Sequence, residues 1–175
     1  MPTIAPNQLN AREMPFSKRD CNNKPELSRN GHTSIVLSIR PQYSRKILEK
    51  QKTVELRRKF TMRTSEQSVV YIYSTSPVCA LVGSATISEV VKLPLSTLWA
   101  QYSDRISVTR AAFDTYFFGL TEGFAIVFSD AKPLPRRLPL SELRQHFDFS
   151  PPQSYRFLKG ELEVILRNGH SKISN

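Results

Sequence analysis

Residues Leu37–Lys59, LSIRPQYSRKILEKQKTVELRRK, decide the fold of this chain, because the segment passes from a strand pattern to a helix pattern and back. It also concentrates the charge. From Gly31 to Phe60 eight Lys or Arg residues stand against two acids, a net charge of +6 out of +10 for all 175 residues. A surplus of this size on an ordered segment is the electrostatic footprint expected of a site for a polyanion.

The segment predicts a short helix between two strands. Ser34–Ile39 has a strand composition, and Pro41 forces the residue before it into an extended conformation. A helix is expected from Gln42 to Lys50, where apolar and charged pairs recur at i,i+4. Lys52–Lys59 then alternates as a strand, with Val54 and Leu56 on one face and Thr53, Glu55 and Arg57 on the other.

The rest of the chain predicts strands of uneven length with small helices inserted between them. Expected strands are Ser68–Ser74, Val78–Val91 and Gly123–Ser129; expected helices are Leu95–Tyr102, Ser107–Phe118, Leu140–Phe147 and a last one that opens at Pro151. Lys132–Leu140 is expected to be extended or looped, and Gly83 marks a place where a strand bends or bulges. With no regular βαβ alternation, the fold class is α+β, with a mixed sheet or partly open barrel.

The domain organisation predicted is one domain with two tails. Residues 1–32 are polar and basic, with isolated apolar residues, and are expected to form a disordered or loosely ordered extension. This extension is either dispensable or a basic arm that helps to hold nucleic acid. The domain is expected at 33–167, followed by a tail at 168–175.

Several classes of function are disfavoured by composition. The longest apolar runs have five residues, far short of the roughly 20 that span a bilayer, so no membrane partner is expected. The N-terminus has no signal-peptide pattern, and a cytoplasmic location is expected. The two cysteines and three histidines are scattered, and no glycine-rich phosphate loop occurs, so neither a metal nor a cofactor is expected.

Several motifs together resemble the ASCH domain (ASC-1 homology), a PUA-like β-barrel superfamily. The opening pattern Leu-Ser-Ile-Arg-Pro-x-Tyr is followed by Lys-Thr-Val-Glu-Leu-Arg at 52–57. Downstream, the segments at 70–77 and 82–85 are similar to a barrel hairpin and its glycine-bearing strand, and those at 116–119 and 123–126 to the strand that closes the barrel. The Pro-Pro-Gln-Ser-Tyr sequence at 151–155 is similar to bacterial members. The resemblance covers about 33–166.

The resemblance implies a small barrel with a cleft beside the first helix, into which the Lys-Thr-x-Glu-x-Arg residues project. It implies binding of RNA or other nucleic acid, and an enzymatic activity in some members. One branch is an N4-acetylcytidine amidohydrolase that uses a lysine, a threonine three residues later and a downstream glutamate. Here the lysine is Lys52, but Glu55 occupies the threonine position, and the nearest candidate for the downstream acid is Asp104. Another branch is ribonucleolytic, so a lysine and a tyrosine remain candidate catalytic residues.

The candidate site residues divide into cations, hydroxyls and acids. Lys52 is a phosphate or carbonyl ligand, a general base if partly desolvated, or a surface lysine. Glu55 pairs with Arg57 or Arg40, or accepts from a base amino group. Both reach one cleft only if Lys52 lies in the turn before the strand. The nucleic-acid-binding candidates are Arg40, Tyr43, Lys46, Lys52, Thr53, Arg57, Arg58 and Ser74, with Tyr43 either stacking on a base or packing on Ile47.

Two hypotheses follow. The first is an ASCH-type protein that binds RNA or single-stranded nucleic acid, since no recognition helix for a duplex groove is evident and a barrel cleft suits an unstacked base. The second is a metal-independent hydrolase or ribonuclease in the same cleft, with Lys52 as base or electrostatic stabiliser and Glu55 as its acid or orienting partner. Tyr43 or Asp104 would be the third member of this catalytic set.

Overall fold

A single curled sheet with short helices on both sides forms the described part of the chain, residues 34–62 and 67–169 of the computed structural model. The strands are β1 (Ser34–Ile39), β2 (Val54–Arg57), β3 (Val69–Ser74), β4 (Ala80–Pro94), β5 (Glu122–Pro139) and β6 (Tyr155–Phe157). The helices are α1 (Pro41–Leu48), α2 (Leu95–Tyr102), α3 (Arg110–Tyr116), α4 (Leu140–Phe147) and α5 (Glu161–Arg167). The α+β fold class and the partly open barrel predicted from the sequence are confirmed.

The strand order is β2-β5-β4-β3-β1-β6, which leaves β2 and β6 at the two edges. β1 and β3 are parallel, and the other neighbours are antiparallel. The β4–β5 register shifts between Leu81 and Gly83 and at two later points, so the long strands bend and the sheet curls. The bend predicted at Gly83 is confirmed. A Cβ there would run into Leu48 and lie 2.7 Å from the backbone oxygen of Lys132, so only glycine fits.

Three apolar clusters hold helices against the curled sheet. Alternate residues of β1 divide between two of them: Ile35, Leu37 and Ile39 face α1 inside the curl, whereas Val36 joins the cluster beneath α4 and α5. The third cluster packs α2 and α3 on β2 and β5, around Phe113 and Phe117. Period-two burial of this kind fixes the strand register, because a one-residue slip would exchange the two faces.

Most predicted elements are confirmed, and the last predicted helix is wrong in position. Tyr155–Phe157 is extended and pairs antiparallel with β1, and the helix begins only at Glu161. The 132–140 segment continues β5 as far as Pro139. The predicted helix at 107–118 begins at Arg110, because the Thr109 side chain caps it by accepting from the amide of Ala112.

The tails fall outside the described residues: the predicted extension at 1–32 entirely, and the predicted C-terminal tail from residue 170 onward. Within the described ranges, no helix is long and apolar enough to cross a membrane.

Candidate functional site

The two edges of the curled sheet meet at a seam that is closed by side chains. The Arg57 guanidinium on β2 donates to the carbonyl of Ser38 on β1 at 3.0 Å, and to the hydroxyl of Ser154, just before β6, at 3.4 Å. Phe60 and Tyr155 pack across the same gap in a tilted arrangement, with ring centroids 4.6 Å apart. A cleft with a volume of about 850 Å³ opens here. Its polar lining includes Arg40, Tyr43, Lys52, Glu55, Arg57, Arg58, Lys59, Tyr116, Gln153 and Ser154.

Lys52 reaches the floor of the cleft from the turn between α1 and β2. The turn follows Lys50, which has φ 60°, and the amide of Lys52 donates to the carbonyl of Lys46 at 3.1 Å. The Lys52 ammonium group donates to the carbonyl of Ile106 at 2.7 Å and lies 3.3 Å from the Glu55 carboxylate. Since Lys52 precedes the regular strand, it escapes the alternation that would have placed it opposite Glu55.

Glu55 sits between two buried cations. One of its carboxylate oxygens is 3.3 Å from Lys52 Nζ and the other is 3.2 Å from an Arg57 nitrogen. Lys52 is 2% exposed, Arg57 7% and Glu55 9%. A buried charge is costly unless it is paired and hydrogen-bonded. Each charge in this trio is therefore stabilised by its oppositely charged neighbour. Arg57 Nε is buried with no hydrogen-bond partner among the described residues.

Burial shifts the pKa of two groups in this cleft. Desolvation lowers the pKa of Lys52 below its ordinary 10.5; the Glu55 carboxylate opposes the shift, and Arg57 and Lys46 add to it. Partial burial raises the pKa of Tyr116 above 10.0. Its hydroxyl therefore stays protonated near neutral pH and donates to the carbonyl of Leu56 at 3.4 Å.

Lys52 should give the folding equilibrium a measurable pH dependence. Its pKa is lower in the folded than in the unfolded chain, so between the folded pKa and 10.5 the unfolded chain binds the extra proton. The unfolding free energy should therefore rise with pH in that window, by at most ~1.4 kcal/mol per pH unit. Chemical denaturation of wild type and Lys52→Met below pH 10, where the raised-pKa tyrosines remain neutral, checks this. The wild-type slope should exceed that of Lys52→Met; equal slopes would contradict it.

The rim and walls of the cleft combine cations with aromatic rings. Arg40, Arg58 and Lys59 are exposed at the rim. With the buried trio they bring five cations and one carboxylate to the lining, a net charge of +4. The Tyr43 ring centroid lies 5.3 Å from Lys52 Nζ, and the same side chain packs against the inner core cluster that contains Ile47. Both of the alternatives considered for Tyr43 are therefore compatible with its position.

Four predicted site residues lie outside the cleft lining. The Ser74 hydroxyl is buried and accepts from Ser44 at 2.9 Å, because Ser74 ends β3 beneath α1 and not at an exposed tip. Thr53 accepts from Arg105 Nε at 3.0 Å and faces a separate small cavity. Lys46 contributes its backbone carbonyl to the turn, and Asp104 is exposed after α2. Of the two predicted third members of a catalytic set, Tyr43 lines the cleft and Asp104 does not.

The sequence prediction missed the wall of the cleft that lies opposite β2. Tyr116, Gln153, Ser154 and Tyr155 line the cleft from segments about 60 and 100 residues beyond β2 in the chain. The Pro-Pro-Gln-Ser-Tyr motif was the available signal. The motif predicts a helix start, whereas the structure makes it the entry to the edge strand β6 beside β1.

Comparison with known proteins places this geometry in a family. A curated protein from Zymomonas mobilis, named ASCH domain-containing ribonuclease, is 30% identical over 127 residues, which are 72% of this chain and 84% of that protein. The chain belongs to the ASCH-domain family. A family model described as a domain of unknown function, DUF365, also matches this ASCH protein at residues 32–147.

Solved structures agree on the fold. The crystal structure of ASCH from Zymomonas mobilis matches at a TM-score of 0.72 with 29% identity, covering 77% of this ASCH protein and 94% of that chain. Human THYN1, solved in complex with DNA that contains 5-methylcytosine, matches at a TM-score of 0.50 with 11% identity, covering 80% of this chain and 99% of its own. At that identity the second match supports the fold alone.

Proposed function

We propose that this ASCH protein binds single-stranded RNA, with one unstacked base in the cleft and the neighbouring phosphates on the rim. The observation that carries the proposal is the arrangement of charge and rings: exposed Arg40, Arg58 and Lys59 surround an opening whose walls include Tyr43 and Tyr116. Cations that follow a backbone, combined with rings on which bases stack, are the features of single-strand binding sites.

The floor adds directional hydrogen bonding to this platform. Lys52 supplies a hydrogen-bond donor and Glu55 an acceptor. The two groups are 3.3 Å apart, and both are buried from solvent. Donors and acceptors at fixed positions select among base edges, whereas phosphate contacts position the strand without specifying its sequence. The volume, about 850 Å³, lies within the range of ~300–1,000 Å³ common for small-molecule sites and so suits a single nucleotide.

Binding of a fluorescent single-stranded pentaribonucleotide at several salt concentrations tests the proposal. Affinity should fall with salt, with a log–log slope of about −0.7 for each phosphate neutralised. A hairpin duplex of the same sequence should compete poorly, because its bases are stacked. No binding at low salt, or a flat salt response, would overturn the proposal.

RNA cleavage in the same cleft is a second candidate function. It is favoured by the lowered pKa of Lys52, a property suited to a general base, and by the name of the Zymomonas mobilis relative, a ribonuclease. In the reaction the 2′-oxygen attacks phosphorus and displaces the 5′-oxygen. The Lys52 amine takes the 2′-hydroxyl proton, the 5′-oxygen takes a proton from water, and a 2′,3′-cyclic phosphate remains.

Incubation of end-labelled RNA with the wild-type protein, with and without EDTA, distinguishes the two functions. Cleavage should be lost in Lys52→Ala and on RNA that carries 2′-O-methyl groups. N4-acetylcytidine in a parallel assay tests the amidohydrolase alternative, for which the threonine position is occupied here by Glu55. If the protein binds RNA but turns over neither substrate, only the binding function remains.

A further inference from the structure

Phe118 is an aromatic side chain that the cleft does not use. The residue is 82% exposed, more than any other large hydrophobic residue in the described part of the chain. An isolated exposed apolar residue is ordinary and needs no explanation. Phe118 differs because of its neighbours: Tyr116, two residues earlier, is 41% exposed and lines the cleft, and Arg58 contacts Phe118 directly.

The backbone beside the ring is fixed. Phe117 is 1% exposed and packs on Phe113, with centroids 4.8 Å apart, and on Tyr116, at 4.9 Å. The turn then closes at Gly119, which has φ 79°, and the amide of Leu120 donates to the carbonyl of Phe117 at 2.9 Å. Because the backbone at this turn is already fixed, stacking of a flat partner on Phe118 costs only the freedom of its side chain.

Arg58 links the backbone of Phe118 to the cleft. One of its guanidinium nitrogens donates to the carbonyl of Phe118 at 3.3 Å, while its side chain lines the cleft rim. The contact leaves most of the guanidinium donors for a phosphate, and Lys59 follows in the chain. An apolar face next to the cations Arg58 and Lys59 of the cleft rim suits a nucleobase attached to a phosphodiester better than it suits an apolar peptide.

We infer that Phe118 is a stacking platform for a second base, so that the minimal full ligand is a dinucleotide: one base in the cleft, the phosphodiester at Arg58 and the adjacent base on Phe118. This inference rests on the proposed RNA-binding function and specifies the ligand further. Stacking of a base on an aromatic side chain contributes ~1–3 kcal/mol, which corresponds to about 5- to 150-fold in affinity.

The test compares a ligand that reaches the platform with one that does not. Binding of fluorescent penta-adenylate and displacement of it by AMP are measured for wild type, Phe118→Ala and Phe118→Trp. Phe118→Ala should weaken pentanucleotide binding by about 5- to 150-fold. It should leave the inhibition constant of AMP unchanged, because AMP does not reach the platform, and the salt slope unchanged, because the ring carries no charge. Phe118→Trp should retain the wild-type affinity. Val164→Ala, at an apolar residue 56% exposed on α5 and outside the cleft lining, is the matched control.

The possible failures are distinguishable. If wild type binds pentanucleotide and Phe118→Ala binds it equally well, the platform is overturned and the cleft function stands. If Phe118→Ala weakens AMP and pentanucleotide by the same factor, the ring acts on the cleft base and no second-base site exists. If wild type binds neither ligand, the proposed function itself fails.

Discussion

Glu55→Ala should lower the free energy of unfolding by about 3–5 kcal/mol, the cost typical of breaking a buried ion pair by removing one partner. The reason is that Lys52 and Arg57, at 2% and 7% exposure, both lose the carboxylate that compensates them. That loss is a large part of the ~5–15 kcal/mol by which domains are stable. Urea denaturation followed by circular dichroism at neutral pH measures it.

Two further variants make this expectation specific. Glu49→Ala removes an acid of the same type from an exposed i,i+4 pair with Arg45, and should cost no more than ~1 kcal/mol. The double variant Lys52→Met with Glu55→Ala should recover part of the loss, because one of the two orphaned cations is gone. If Glu55→Ala is as stable as Glu49→Ala, the buried trio does not hold the floor of the cleft together.

Replacing the rim cations Arg40, Arg58 and Lys59 together by Ala should make the salt dependence of RNA binding shallower by about 2 log–log units, three contacts at ~0.7 each. All three side chains are exposed, so the fold should be unaffected. Their loss should weaken binding of every sequence to a similar extent, because phosphate contacts carry no base preference. Titration of labelled RNA between low and moderate salt measures both effects.

A charge-matched variant separates local contact from net charge. Arg137, Arg144 and Lys159 are exposed and do not line the cleft, and changing all three to Ala removes the same three positive charges. This variant should keep the slope near that of wild type. Equal slopes for the two triple variants would mean that RNA responds to overall charge and that the cleft is not its site.

The near side of the cleft could be predicted because it is local in sequence. Lys52, Glu55 and Arg57 lie within six consecutive residues, and alternation along one short strand, preceded by a turn, suffices to aim them together. The far side depends on pairing between β6 and β1, which are more than 100 residues apart in the chain. No local pattern in the Pro-Pro-Gln-Ser-Tyr motif distinguishes a helix start from an edge strand, so Ser154 and Tyr155 were missed.

Asp104 and Ser74 show a different limit. Both are polar residues near the ends of predicted elements, where side chains often serve a site. Only the tertiary arrangement shows that Asp104 is exposed away from the cleft, whereas Ser74 is buried against Ser44. Sequence patterns indicate which residues are chemically suitable, and the distance between elements decides which of them meet.

The side-chain closure of the seam also bears on whether the edges of the sheet can pair with another chain. A sheet edge with free backbone donors and acceptors is a template on which another chain can add a strand. Here both edges are very short, with four residues in β2 and three in β6. Arg57 and Glu55 place charge on the first edge, and the gap between the edges is bridged within one molecule. The residues proposed to bind RNA thereby also disfavour edge-to-edge aggregation of the sheet.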